Sequence, residues 1–181
     1  MPEQPQADAA IKAQHRAEKI KLLCLDIDGV LTDGTLYYSA DGEQLKTFNT
    51  LDGHGIKMLQ KTGVTIAIIS GRSSEALKRR ASDLGIAHLH LGSEDKLSAL
   101  QALCTKLDLV PEEVAHVGDD LPDLPLMRAV GLGVAVPNAY PVVIQQADWV
   151  TVASGGRGAV RELCDFIMSA QGTLENALQE Y

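Results

Sequence analysis

The chain is poor in cysteine, and its three thiols, Cys24, Cys104 and Cys164, lie too far apart for a Cys-x-x-Cys pair and are too few for a disulfide framework. All three are expected to be buried thiols, Cys24 in a strand pattern and the other two in helical ones. No apolar run of about 18 residues marks a membrane span, and no leader with a long apolar centre opens the chain. A soluble cytoplasmic protein without membrane insertion is therefore expected. Positive charge is also scarce: 16 Lys+Arg stand against 24 Asp+Glu, a net charge of -8. That balance argues against a nucleic-acid surface, which needs clustered cations. A small anionic substrate stays open, because a bound metal ion inverts the local field. His15, His88, His90 and His116 make no zinc-ligand pattern. Neither a Gly-x-Gly-x-x-Gly fingerprint nor a Gly-x-x-x-x-Gly-Lys-Ser/Thr loop occurs, which counts against nicotinamide enzymes and P-loop kinases. Internal repeats, low-complexity linkers and sharp composition breaks are missing as well.

What is present is a chain of 181 residues, 45% hydrophobic, compatible with one compact domain and a sizeable core. An Ala/Lys/Gln-rich stretch at 7–19 predicts an exposed or frayed helix. Beyond it, apolar strand patterns at 21–27, 64–69, 87–91, 114–117, 132–136 and 147–151 alternate with helical patterns at 53–61, 74–84, 96–107 and 158–168, and a short helix ends near Ala129. Segments 34–39 and 43–48 flank Ala40-Asp41-Gly42 as a β-hairpin, Asp-Gly being a strong turn pair. This rhythm predicts an α/β fold with a mostly parallel sheet and helices on both faces. The expected organisation is an amino-terminal extension at 1–19, a catalytic domain at 20–169 containing the hairpin 34–48, and a polar helical tail at 170–181.

The most telling residues are carboxylates at strand ends. Asp26 and Asp28 follow the apolar run 22–25, and Gly118-Asp119-Asp120-Leu121-Pro122-Asp123 follows the run 114–117. Acids beside a core need a metal, a cation or hydrogen bonds. In a parallel sheet ligands approach the carboxyl ends of the strands, where Asp26/Asp28, Ser70/Arg72 and Asp119/Asp120 would converge. Chemically, one carboxylate of the first pair can attack phosphorus while the other transfers the proton that leaving-group departure requires. Ser70 and Lys96 suit phosphate oxygens. Arg72 could reach a carboxylate by a two-pronged contact or make a helix-entry salt bridge. His54 is a weaker substrate-contact candidate, and Asp123 is expected to organise the Asp119 loop. Gly155-Gly156-Arg157-Gly158 could carry Arg157 to a substrate anion or simply lead into a helix.

Taken in order, Asp26-Ile27-Asp28-Gly29-Val30-Leu31-Thr32, Ser70-Gly71-Arg72, Lys96 and Gly118-Asp119-Asp120-Leu121-Pro122-Asp123 resemble the four motifs of the haloacid-dehalogenase superfamily. Segments 48–55 and 155–162 extend the likeness to the group that hydrolyses 3-deoxy-D-manno-octulosonate 8-phosphate. The resemblance implies a Rossmann-like fold with a small hairpin in place of a large cap. It implies magnesium-dependent hydrolysis of this phosphorylated acid sugar through an aspartyl-phosphate, serving lipopolysaccharide biosynthesis. Asp26 would be the nucleophile and Asp28 the acid and base. Mg2+ would be held by the Asp26 side chain, the Asp28 main-chain carbonyl and Asp119, with Asp120 positioning the ion or its waters. Ser70 and Lys96 would bind phosphate, and Thr32, Arg72 and Arg157 would contact the rest of the substrate. Hairpins bearing Leu36, Tyr37 and Tyr38 would build a homotetramer whose neighbours shape the entrance. A phosphatase of nine-carbon acid-sugar 9-phosphates and a noncatalytic assembly subunit stand as alternatives.

Overall fold

A computed structural model describes residues 4–180; residues 1–3 of the expected extension and Tyr181 of the expected tail lie outside the described residues. Six parallel strands form one sheet: β1 (Leu22–Leu25), β4 (Thr65–Ser70), β5 (His88–Leu91), β6 (Val114–Gly118), β7 (Leu132–Ala135) and β8 (Trp149–Val150), in the order β5-β4-β1-β6-β7-β8. Strands β2 (Tyr37–Ser39) and β3 (Gly42–Leu45) make a separate antiparallel hairpin. It is shorter than the residue pattern implied, and its register shifts between Tyr37 and Tyr38.

The reason for a sheet covered on both faces is visible in β1, whose four residues are all buried. Successive strand side chains point to opposite sides. Leu23 and Leu25 accordingly join one core with Ile66 and Ile68, while Leu22 and Cys24 join a second with Ala67 and Ile69. The first core is closed by helices α2 (Thr50–Lys61), α3 (Glu75–Asp83) and α7 (Ala159–Ala170), the second by α4 (Lys96–Leu107), while α5 (Leu124–Ala129) gives Leu124 and Met127 to the first and Leu126 to the second. In α7, Val160, Leu163, Cys164, Ile167 and Met168 form one buried stripe at the spacing of a single helix face. Asn49, Ser74 and Asp95 cap α2, α3 and α4 by accepting backbone N–H groups.

Three expectations need correction. The amino-terminal stretch is a helix, α1 (Gln4–Ala17), and is not simply exposed: Ala13 and Ala17 are buried in the first core. Arg16 ties it down by pairing with Asp148 at 2.6 Å. Small alanines leave little apolar signal in sequence yet allow close helix packing. A further helix, α6 (Pro141–Gln146), went unpredicted because Val142, Val143 and Ile144 are β-branched and the helix is only six residues long. Cys24 and Cys164 are buried as expected, but Cys104 is only partly buried. The last helix, α8 (Leu174–Leu178), follows α7 in the tail. No helix among the described residues is long and apolar enough to cross a membrane.

The sheet order sets the site. From β1 the chain moves to β4 and β5 on one side, and from β6 to β7 and β8 on the other. The carboxyl ends of β1 and β6 therefore flank a topological switch point, where open α/β sheets leave a crevice.

Candidate active site

Asp26 stands one residue past β1, and its N–H extends the ladder by donating to the Val117 carbonyl at 3.1 Å. Asp119 stands one residue past β6, the adjacent strand, so the two acids are neighbours through strand pairing alone. Gly29 permits this approach: its φ is +89°, and a Cβ there would overlap the Asp119 carboxylate. Gly118 likewise makes room for a third acid, Asp123, since a Cβ there would overlap that side chain.

A cavity of about 500 Å³ opens at this crevice, and its walls include Asp26, Asp28, Ser70, Arg72, Lys96, Asp119 and Asp120. With Asp123, eight residues singled out from sequence thus share one space. Thr32 and Arg157 do not line it. Thr32 is buried, and its hydroxyl accepts from the N–H groups of Gly29 and Gly34 and donates to the Ile27 carbonyl. Those bonds make it a clamp on the loop after β1. Arg157 is largely exposed, with Asp33 at 3.6 Å, on a segment that packs against the same loop through Gly156 N–H to the Val30 carbonyl. His54 lies within α2, away from the cavity walls.

The electrostatic centre is Lys96, the first residue of α4, whose buried ammonium donates to Asp26 at 2.7 Å and Asp123 at 2.8 Å. Burial alone would lower its pKa, but the two carboxylates outweigh burial and raise it. The acids themselves move in opposite directions although they share this partner. Burial and then the charge of Asp123 push Asp26 up to about 6, against the pull of Lys96. Burial would also raise Asp123, but His116 and then Lys96 carry it well below the ordinary carboxylate range. Geometry explains the contrast: Asp123 Oδ1 faces Lys96 and His116 Nε2, while Oδ2 accepts from the Asp119 and Asp120 N–H groups. With four partners, Asp123 organises the loop. His116, fully buried on β6, was not legible as part of the site because its partner is seven residues away across the strand end.

Asp119 is raised to about 7, by burial first and then by the charges of Asp26, Asp123 and Asp120. Carboxylate oxygens of Asp26, Asp119 and Asp123 lie within 4.8 Å of one another. Such crowding of hard oxygen donors is the electrostatic deficit that a small divalent cation relieves, and it fits magnesium. Asp26 and Asp119 are the better ligands, since every Asp123 oxygen already has donors. Asp123→Ala should show the cost of losing the organiser. It leaves His116 and two N–H groups without this acceptor and Lys96 with Asp26 alone, and thermal unfolding should report a loss of about 3 kcal/mol or more; an unchanged melting temperature would contradict this role.

Ser70 ends β4, buried, with its hydroxyl accepting from the Arg72 N–H at 3.3 Å. The remaining cavity residue of note is Asp28, which sequence reasoning left without partners. Its Oδ1 meets Lys46 at 2.5 Å and its Oδ2 lies 3.5 Å from Arg72 Nε. Arg72 also donates to the Tyr38 hydroxyl at 2.8 Å. Lys46 was missed because it lies 18 residues from Asp28, on a segment read only as a hairpin strand.

The chain that carries this site is similar to known proteins in sequence and in fold. A family model described as haloacid dehalogenase-like hydrolase matches residues 88–163. The 3-deoxy-D-manno-octulosonate 8-phosphate phosphatase of Escherichia coli K12 is 51% identical over 162 residues, 90% of this chain and 86% of that protein. The crystal structure of the Moraxella catarrhalis 3-deoxy-D-manno-octulosonate 8-phosphate phosphatase with magnesium, phosphate and the sugar superimposes with a TM-score of 0.91 at 41% identity, covering 93% of this chain and 97% of that one. The cobalt-bound phosphatase from Haemophilus influenzae gives 0.87 at 41% identity, covering 91% and 99%. The chain belongs to the 3-deoxy-D-manno-octulosonate 8-phosphate phosphatase family of haloacid dehalogenase-like hydrolases.

Proposed function

We propose that this protein hydrolyses 3-deoxy-D-manno-octulosonate 8-phosphate to the free acid sugar and inorganic phosphate. The observation that carries this reading is the convergence of Asp26, Asp28, Ser70, Lys96 and Asp119 on one cavity in a chain 51% identical to an enzyme of that name. Asp26 attacks phosphorus, a new carboxylate–phosphorus bond forms, and the bond to the sugar oxygen breaks. The electron pair leaves on that oxygen, which takes a proton from Asp28. Asp28, now ionised, takes a proton from an attacking water, and cleavage of the aspartyl-phosphate returns Asp26 and releases phosphate.

Lys96 and Ser70 hold phosphate oxygens as charge shifts between them. Arg72 is the cavity guanidinium suited to the sugar carboxylate. Asp26, the Asp28 main-chain carbonyl and Asp119 would hold magnesium, with Asp120 beside them. When bound, the ion offsets carboxylate charge and polarises the phosphoryl group. The reading includes a cytoplasmic place in lipopolysaccharide precursor synthesis.

Phosphate release with magnesium from a panel of acid-sugar phosphates tests this directly. The eight-carbon 8-phosphate should show the highest kcat/KM. A clear preference for a nine-carbon 9-phosphate would transfer the assignment to that substrate, and no release from any member would favour a noncatalytic subunit.

The reading extends to a homotetramer built through the hairpin, supported by the exposure of Leu36, Tyr37, Tyr38 and Leu45 on that short element. Leu36→Asp combined with Leu45→Asp should dissociate the assembly. Turnover of the acid-sugar phosphate should then fall roughly tenfold more than turnover of a small generic phosphate, a difference of about 1.4 kcal/mol. Light scattering and paired kinetics on one sample check this; a monomer with full turnover and selectivity would defeat it.

A further inference from the structure

Lys46 contacts the site, and the mechanism above leaves it unused. It follows β3 directly and precedes Phe48, which packs on the main core, and Asn49, the cap of α2. Its backbone is thus fixed between the hairpin and the body of the fold. Although the hairpin tip is exposed, the Lys46 side chain is only 2% exposed. A lysine stem is rarely enclosed to this degree unless its ammonium is paired.

Its ammonium pairs with the Asp28 carboxylate, at 2.5 Å from Oδ1. The second oxygen is approached from elsewhere, by Arg72 Nε at 3.5 Å. Arg72 lines the cavity and Lys46 does not. Asp28 is therefore held tightly at one oxygen by a residue outside the cavity lining and loosely at the other by one within it. Both contacts lead to the hairpin, since Arg72 also receives Tyr38, on β2, as a hydrogen-bond acceptor at 2.8 Å.

We infer that Lys46 is a positioning residue for proton transfer: it fixes the Asp28 side chain so that the oxygen facing the cavity points at the departing sugar oxygen. The inference rests on the assignment of Asp28 as proton donor under the proposed function. It makes the base of the hairpin a part of the chemical step, in addition to any part the exposed tip has in assembly. A carboxyl that rotates freely delivers its proton less often, and the deficit grows with the basicity of the leaving oxygen. Positioned acid–base groups are worth roughly 100-fold or more, so a misdirected one should lose a sizeable share of that factor.

Lys46→Met keeps the length of the stem and removes the charge. Phenyl phosphate and 4-nitrophenyl phosphate provide the probe, being close in size and different in the basicity of the oxygen that leaves. In Lys46→Met, kcat for phenyl phosphate and for the acid-sugar phosphate should fall on the order of 10- to 100-fold, and kcat for 4-nitrophenyl phosphate should fall much less. KM values should change little, and the oligomeric mass should match the wild type. Lys46→Arg should restore most of the loss on the basic leaving groups, and serves as the informative variant if methionine prevents folding. Equal losses on both aryl esters, a rise in KM at constant kcat, or no loss at all would overturn the inference. Wild-type protein that releases phosphate from none of the three esters would instead overturn the phosphatase reading, and the inference with it.

Discussion

Asp26→Asn is expected to reduce phosphate release by roughly four orders of magnitude or more, the scale on which loss of an obligatory nucleophile acts. An amide nitrogen and oxygen fill the space of the carboxylate, but the neutral oxygen lacks the electron density to displace a sugar alkoxide from phosphorus. The fold should survive. Lys96 keeps Asp123 as a charged partner, and the crowded set Asp26, Asp119 and Asp123 loses one of its three like charges. Substrate should still bind, because Ser70, Lys96 and Arg72 are untouched. Single-turnover kinetics on folded, magnesium-loaded protein provide the measurement. Trapping of acid-stable phosphate on the wild-type chain and not on the variant would locate the covalent step. Near-normal release from the variant would rule out Asp26 as nucleophile.

Asp119→Ala should act through the metal. Asp119 lies beside Asp26 at the end of the neighbouring strand, with its carboxyl raised to about 7 by burial and then by the surrounding acids. A group so placed gains most from a nearby dication. Its loss should weaken magnesium binding by at least about 100-fold, beyond the 10- to 100-fold typical of losing a partner outside the coordination shell. Activity should fall with it and recover in part at high magnesium. A thermal-shift titration separates this from general damage. Without metal, the variant should melt no lower than wild type, since one crowded carboxylate has gone, while the rise in melting temperature that magnesium gives the wild type should be lost. Unchanged magnesium affinity by calorimetry would end the ligand assignment.

These two residues were legible early because each acid follows an apolar strand run, and a parallel sheet collects the ends of its strands on one edge. Ser70, Lys96, Asp120 and Arg72 were legible for the same reason, one strand or loop further along. Asp123 was expected to organise its loop, and its four hydrogen-bond partners fit that role. Thr32 shows the limit. Sequence placed it on the loop after β1, yet the hydrogen-bond partners of its hydroxyl depend on which way the loop closes. It closes inward, onto the Gly29 and Gly34 N–H groups.

Apolar periodicity determined by itself the parallel α/β architecture, because a strand buried on both faces must be apolar throughout and its crossover must be a helix with one apolar stripe. The spacing of the acidic and glycine residues likewise determined which strand ends bring their acids to the cavity. Tertiary structure alone decided the pairings that cross long stretches of chain. Lys96 bridges Asp26 and Asp123 from 70 and 27 residues away, Lys46 reaches Asp28 across the hairpin, and α1 returns to pack its alanines in the first core. The physical reason is that charge pairing depends on separation in space. A lysine has no periodicity to announce its partner, and its ammonium sits at the end of a flexible stem whose direction is set only when the surrounding core has closed.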